Sequence, residues 1–164
     1  MDKFTLPDGL GLRQATASDQ PFLASLFHST REAFYLSGQD KDYIHHLIDQ
    51  QFDLQTEAYG EQSPDAMTFI VDKSGTPIGR LVLDFGKKIA HIVDLSFIPK
   101  ARAKGYGKAV IQAVQHIAQK QRLPVGLSVE HQNSRARKLY LSLGFAPYEN
   151  SISHAFMLWY PVLG

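Results

Sequence analysis

The stretch Arg102-Ala103-Lys104-Gly105-Tyr106-Gly107 lies between an apolar run, Ile89 to Pro99, and a segment with helical periodicity. A strand, a glycine-rich turn with basic side chains and a helix start together predict an anion-binding loop. In such a loop the N–H groups of the turn and the positive end of the helix dipole point at one place. Glycine also lets the backbone approach a phosphate without a Cβ in the way.

The spacing of this loop excludes the two common nucleotide-binding motifs. A P-loop would need glycine at position 102 and Ser or Thr at position 109, which are Arg102 and Ala109. A dinucleotide fingerprint would need a third glycine at position 110, which is Val110. The loop therefore indicates a polyanionic ligand of another kind.

Length and composition predict one ordinary globular domain over residues 1–164. Of the 164 residues, 44% are hydrophobic and 20% are charged, which suffices for a sizeable core. No apolar run approaches the roughly 18 residues of a membrane span, and Met1 to Phe4 lack the pattern of a signal peptide. We expect a cytoplasmic protein with no membrane association.

The chain has no cysteine. Disulfides, thiolate metal sites and a cysteine nucleophile are therefore excluded. In an acyltransferase the acyl group could not rest on cysteine, so direct attack of the acceptor on a bound thioester is the simpler mechanism.

Charge is distributed unevenly along the chain. The net charge is +1, but residues 100–140 hold nine of the 17 Lys and Arg residues and only one of the 16 acids, Glu130. A basic segment around a glycine-rich turn suits a polyanionic ligand. Nucleic acid is a less favoured alternative, because the basic residues form no run and aromatic residues are sparse among them.

Hydrophobic periodicity and turn residues predict the element order β-α-α-β-β-β-α-β-α-β-β. This order predicts an α/β fold whose mixed, mostly antiparallel sheet is flanked by helices. The predicted elements are a strand over 10–14, helices from 21 and over 42–58, strands over 68–71, 77–85 and 89–98, a helix over 107–121, a strand over 125–129, a helix over 134–143 and strands from 144 and over 154–160. On the second helix, Tyr43, Leu47, Ile48, Phe52 and Leu54 are expected to face inward.

A second motif follows about 30 residues after the loop. Asn133 is a candidate N-cap, Ala136 and Tyr140 are four residues apart on one helix face, and Gly144-Phe145 suits the end of that helix. Together with the loop, this pattern resembles the GCN5-related N-acetyltransferases, the GNAT superfamily. The element order is similar to that family over essentially the full chain.

The resemblance implies an N-acetyltransferase that moves an acetyl group from acetyl-CoA to an amine. It also implies a role for each matching residue. Tyr140 would protonate the departing thiolate, and the main chain of Leu95 and Phe97 would hydrogen-bond the pantetheine arm. The pyrophosphate loop and its neighbours would comprise Arg102, Ala103, Lys104, Gly105, Tyr106, Gly107, Lys108, Asn133 and Ala136. Two alternatives stay open: Tyr140 as a core aromatic, and Asn133 as a helix cap alone.

The resemblance also implies a general base on the strand before the loop, where the two candidates are His91 and Asp94. Histidine has an ordinary pKa of about 6.5, which suits base catalysis near neutrality. In a regular strand these two residues face opposite sides of the sheet, whereas a bulge would change that parity.

The acceptor is expected against residues 28–60 and 147–154, and it is a small-molecule amine or a protein amino group. The helical neighbours His45 and His46 point about 100° apart, so they form no joint site, and no metal is predicted. A homodimer is possible, with Phe156 and Trp159 either at its seam or in the core. A non-catalytic acyl-CoA sensor is the main alternative function.

Overall fold

The computed structural model describes residues 6–162; Met1 to Phe4, on which the signal-peptide expectation rests, lie outside them. The order of helices and strands confirms the predicted one, and their ends differ by a few residues. Short 3₁₀ turns occupy residues 17–19, 32–37 and 99–101. The main elements are β1 (Leu10–Gln14), α1 (Gln20–Ser29), α2 (Lys41–Gln62), β2 (Met67–Lys73), β3 (Thr76–Phe85), β4 (Ala90–Phe97), α3 (Tyr106–Gln121), β5 (Val125–Glu130), α4 (Ser134–Ser142), β6 (Ala146–Asn150) and β7 (His154–Trp159).

The strands form one seven-stranded sheet in the order β1-β2-β3-β4-β5-β7-β6. Strands β4 and β5 pair in parallel, and every other neighbouring pair among the described strands is antiparallel. The mixed, mostly antiparallel sheet is therefore confirmed. Among residues 6–162 no helix is both long enough and apolar enough to cross a membrane.

Each face of the sheet carries its own apolar cluster. Ile70 belongs to the cluster of α1 and α2, whereas Val71, the next residue on β2, belongs to the cluster of α3. Successive strand residues point to opposite faces, so a single strand contributes to both clusters. The same sheet therefore supports the glycine-rich turn at the start of α3 on one face and the helices α1 and α2 on the other.

The prediction for the inward face of α2 is partly wrong. The buried residues are Ile44, Ile48 and Phe52, which are four apart and form one stripe. Tyr43 is 51% exposed and Leu54 is 65% exposed, because both lie to the side of that stripe.

Strands β4 and β5 separate partway along their length. They pair only where Ala90 to Ile92 meets Val125 to Leu127. Beyond Ile92 no pairing joins them, and β5 continues along β7 instead. The separation opens a gap in the sheet beside the second half of β4.

A bulge in β4 sits at the start of this gap. Val82 is opposite Asp94 and Leu83 is opposite Ile92, so Val93 is an extra residue on β4. Asp84 is opposite His91. Because Val82 and Asp84 share a face and directly opposed residues share a face, His91 and Asp94 lie on the same side of the sheet. In a regular strand these two residues would face opposite sides of the sheet, and the bulge at Val93 brings them to the same side.

Candidate active site

The glycine-rich turn leads directly into α3. Gly105 precedes the helix with φ +83°, in the left-handed region that glycine adopts without strain, and Ala103 has φ +61°. A Cβ at Gly105 would meet no atom within 4 Å, so the loop leaves open space beside its backbone. The N–H groups of the first helical turn have no acceptor within the helix. The turn can therefore direct N–H groups and the helix dipole at an anion.

The side chain of Arg102 ties this turn to two other elements. Its Nε donates to the carbonyl of Phe97 at 2.9 Å, and its guanidinium reaches the hydroxyl of Ser29 at 3.3 Å. Tyr106 is buried, and its hydroxyl accepts a hydrogen bond from Lys73. Both side chains thus hold the turn in place while its backbone faces outward.

A cavity of about 830 Å³ lies against the turn. It brings together ten of the eleven residues predicted to bind the cofactor, and Lys104 is not among those that line it. Four residues from the range 28–60 expected beside the acceptor, Ser29, Thr30, Glu32 and Ala33, form the wall on the α1 side. The basic side chains on the lining are Arg102, Lys108 and Arg135, against one acid, Glu32. The size and the charge fit a ligand that carries phosphate groups.

The second half of β4 presents main-chain groups to the gap. The N–H of Ile98 donates to the carbonyl of Ile78 on the β3 side, and the carbonyl of Ser96 lies beside Gly79 of β3. Because main-chain groups alternate along a strand, those of Leu95 and Phe97 point to the opposite side, toward the gap. The Phe97 carbonyl already accepts from Arg102.

The second motif forms α4 and closes the cavity. The side chain of Asn133 accepts a hydrogen bond from the N–H of Ala136 at 3.1 Å, so it caps the helix. Asn133 also lines the cavity, together with Ala136 and Tyr140. Ala136 and Tyr140 pack against the apolar cluster of α3 from the same helix face.

A smaller cavity of about 130 Å³ fills the gap between β4 and β5. Asp94 and Tyr140 both line it. Burial raises the pKa of Tyr140, and the charge of Asp94 raises it further. The Tyr140 hydroxyl makes no hydrogen bond to any residue from 6 to 162. A protonated, unpartnered phenol and a carboxylate therefore border the same small space.

Asp94 is held by a buried arginine that the sequence analysis missed. Arg80 on β3 donates to Oδ2 of Asp94 from Nε at 3.0 Å and from a terminal nitrogen at 2.7 Å. The Ser96 hydroxyl reaches the same oxygen at 3.3 Å. The available signal was Arg80 itself, a charged residue within the otherwise apolar run Ile78 to Leu83.

His91 lies apart from both cavities, although it shares a sheet face with Asp94. Its ring contacts Phe156 edge-on, with the ring centroids 5.8 Å apart. Burial lowers the pKa of His91, partly offset by the nearby charge of Asp84. Between the two candidate bases, the geometry brings Asp94 and not His91 to Tyr140.

His28, His45 and Asp49 form a cluster between α1 and α2, and the adjacent His46 takes no part in it. Nε2 of His28 is 2.7 Å from a carboxylate oxygen of Asp49, and this hydrogen bond lowers the pKa of Asp49. The rings of His28 and His45 stack with centroids 4.3 Å apart and an angle of 22°. One nitrogen of each histidine and one carboxylate oxygen of Asp49 all lie within 4.8 Å of one another. The cluster joins α1 to α2.

Comparisons with known proteins agree with this geometry. The model of the "Acetyltransferase (GNAT) family" matches residues 23–145. An uncharacterized N-acetyltransferase, YhfO of Bacillus subtilis, is 29% identical over 143 residues, which cover 83% of this chain and 89% of the relative.

Solved structures share the fold. The PaiA N-acetyltransferase of Thermoplasma acidophilum, in complex with coenzyme A, superposes with a TM-score of 0.68 at 22% identity, over 92% of this chain and 98% of that one. The spermidine N-acetyltransferase of Vibrio cholerae, with CoA and spermine, gives 0.67 at 17% identity, over 93% and 95%. The chain belongs to the GNAT family of acetyltransferases and is an acetyl-CoA-dependent N-acetyltransferase.

Proposed function

We propose that residues 1–164 form one N-acetyltransferase domain in which the acceptor amine attacks the bound thioester directly, in a ternary complex. The observation that carries the proposal is the small cavity between β4 and β5, where Asp94 and Tyr140 border the same space. The chain has no cysteine that could hold an acyl group. Direct transfer therefore needs only a place for the amine and two groups that handle protons.

The cofactor side of this proposal assigns a binding role to the backbone. The N–H groups at the start of α3, next to Gly105 and Gly107, hold the pyrophosphate, and Lys108 adds positive charge. The main chain of Leu95 pairs with the pantetheine arm as an additional strand would. Acetyl-CoA supplies an activated acyl carbon and a thiolate leaving group. Leu95 and Tyr140 line both cavities, so an arm held along the gap would bring its thioester to the small cavity.

Tyr140 and Asp94 manage the protons of the reaction. As the C–N bond forms and the C–S bond breaks, one proton leaves the amine nitrogen for Asp94, and one proton passes from Tyr140 to the sulfur. The return of a proton from Asp94 to Tyr140 restores both groups. The raised pKa of Tyr140 supports its role as a donor, because the phenol keeps its proton until negative charge develops on the sulfur.

The acceptor enters from the face of α1 and α2, where Asp94 and Arg80 lie. Tyr59 of α2 is half-buried there; burial raises its pKa, the charge of Asp94 raises it further, and the charge of Arg80 partly offsets both. We propose a small-molecule amine as the acceptor. A related fold that was solved with CoA and spermine acts on spermidine, which supports this class of acceptor.

The test combines binding with turnover. The purified protein is titrated calorimetrically with acetyl-CoA, and a panel of amines and lysine peptides is then screened by thiol release and product mass. We expect intersecting initial-rate lines and no acetyl group on the protein after incubation with acetyl-CoA alone. Parallel lines with an acetylated protein would overturn direct transfer. Binding without turnover of any amine would favour a sensor.

A further inference from the structure

Arg80 is one of two buried polar or charged residues among those described, and its exposed fraction is 8%. It lies on β3, where Ile78, Leu81, Val82 and Leu83 are all buried. A buried guanidinium is costly unless a partner neutralises it and its N–H groups are bonded. Its position in the sheet therefore calls for a reason beyond packing.

The partners of Arg80 come from two other elements. Two of its nitrogens donate to Oδ2 of Asp94, and a terminal nitrogen also donates to the side-chain carbonyl of Gln55 on α2 at 3.2 Å. The planar guanidinium fixes the direction of each bond, which a lysine ammonium would not. The carboxylate of Asp94 is thereby held in one rotamer, with α2 as a second point of support.

The two oxygens of the Asp94 carboxylate have different surroundings. Two nitrogens of Arg80 and the hydroxyl of Ser96 all donate hydrogen bonds to Oδ2. Within residues 6–162 no donor reaches Oδ1. One oxygen is thus used for anchoring, and the other keeps its lone pairs for a proton.

We propose that Arg80 is a positioning residue that acts through Asp94: it anchors Oδ2 so that Oδ1 can accept the proton of the acceptor amine. This inference rests on the proposed role of Asp94 as the base. Arg80 itself does not line the gap between β4 and β5, whereas Asp94 does. Loss of Arg80 would leave the carboxylate present but free to rotate away from the amine.

The test is a double-mutant cycle on kcat with Arg80→Gln, Asp94→Asn and the double variant. Each variant is also measured for acetyl-CoA affinity and thermal stability. We expect Arg80→Gln to lower kcat about tenfold in the natural background and to have almost no effect when Asp94 is already Asn. Acetyl-CoA affinity should stay unchanged in all three.

Two further variants separate positioning from stability. Arg80→Lys keeps the charge with a poorer bonding geometry, and we expect it to recover part of the lost kcat. Arg13→Gln is the control, because Arg13 on β1 also pairs with an aspartate, Asp19 at 2.8 Å, and neither residue lines a cavity. It should affect stability without changing kcat. If Arg80→Gln does not fold, Arg80→Lys takes its place in the cycle.

The outcomes distinguish this inference from the proposed function. If Asp94→Asn keeps the full kcat, the role of Asp94 as the base is wrong. If Asp94→Asn is slow but Arg80→Gln is as fast as the unmodified protein, Asp94 stands as the base and the positioning role of Arg80 is overturned. Equal effects of Arg80→Gln in both backgrounds would also overturn it, because Arg80 would then act independently of Asp94.

Discussion

The proposed cofactor side and the proposed acceptor side of this protein are built in different ways. Most of the cofactor side comes from two short segments, residues 102–108 and 133–140, whose members are neighbours in sequence, and Leu95 and Phe97 of β4 lie beside them. The acceptor side comes from Gln55, Arg80 and Asp94, which lie on α2, β3 and β4 and meet only in the folded chain. A local motif can be identified from its spacing, whereas an assembled site depends on strand register and helix packing.

This contrast has a functional counterpart. In the proposed site the backbone would hold the cofactor, so many side-chain changes there should be tolerated if the turn keeps its shape. The proposed acceptor side depends on the carboxylate of Asp94 and on the buried side chain of Arg80 that holds it. The two sides meet at Tyr140, which lines both cavities.

The largest effect is expected where the two sides meet. Replacement of Tyr140 by Phe removes the proton donor but keeps the ring against the core. We expect kcat to fall by about 100-fold, which is typical of a lost general acid, with acetyl-CoA affinity unchanged. Steady-state kinetics and calorimetry check this, with Tyr160→Phe at an exposed position as the control. An unchanged rate would leave Tyr140 as a core aromatic.

On the acceptor side, Asp94→Asn and His91→Gln separate the two candidate bases. We expect kcat to fall at least about tenfold for Asp94→Asn, because the amide cannot take a proton. His91→Gln should change kcat far less, because His91 lines neither cavity. Parallel kinetics of the two variants measure the difference. The reverse order of effects would assign the base to His91.

On the cofactor side, Gly105→Asp should weaken acetyl-CoA binding about tenfold, or about 1.4 kcal/mol. The new carboxylate would repel the pyrophosphate, and φ +83° is unfavourable for aspartate. The matched control is Gly38→Asp, which has φ +82° and equally open surroundings but does not line the cavity. Calorimetry should show affinity lost in the first variant and kept in the second. Equal losses of acetyl-CoA affinity in both variants would mean that backbone strain, and not a charge beside the cavity, weakens binding.

The smallest effect concerns the stability of the sheet at acid pH. Burial holds the pKa of His91 below its ordinary value of 6.5, so the unfolded chain binds this proton more readily than the folded one. Stability is therefore lost as pH falls from 6.5 toward the lower folded-state pKa. Urea unfolding at pH 7.5 and 5.5 should show a smaller pH dependence for His91→Gln. An identical pH dependence would mean that His91 does not contribute.

The sequence predicted the element order because each helix and strand has its own periodicity and turn residues. Its errors on α2 have a local cause, since Tyr43 and Leu54 are apolar neighbours of the buried stripe Ile44, Ile48 and Phe52. The residues that line the large cavity beside the turn were predictable as a group for the same reason as the elements. The motif Arg102 to Gly107 encodes a turn whose shape depends mainly on Gly105, which has φ +83°.

The sequence could not choose between the candidate bases His91 and Asp94, because their relative positions depend on one extra residue in β4. Without the bulge at Val93, His91 and Asp94 would face opposite sides of the sheet. Nothing in the local sequence of β4 fixes that register, since it is set by pairing with β3. Arg80 was visible as a charge in an apolar run, but its partner depends on the same pairing.

The sequence by itself determined a glycine-rich turn at a helix start, a geometry that suits a phosphate group, because contiguous residues set the turn and the helix dipole. Tertiary structure decided which of the two candidate bases, His91 or Asp94, borders the same cavity as Tyr140. That choice depends on the register of β3 against β4 and on the separation of β4 from β5, and both are set by contacts between residues far apart in the chain.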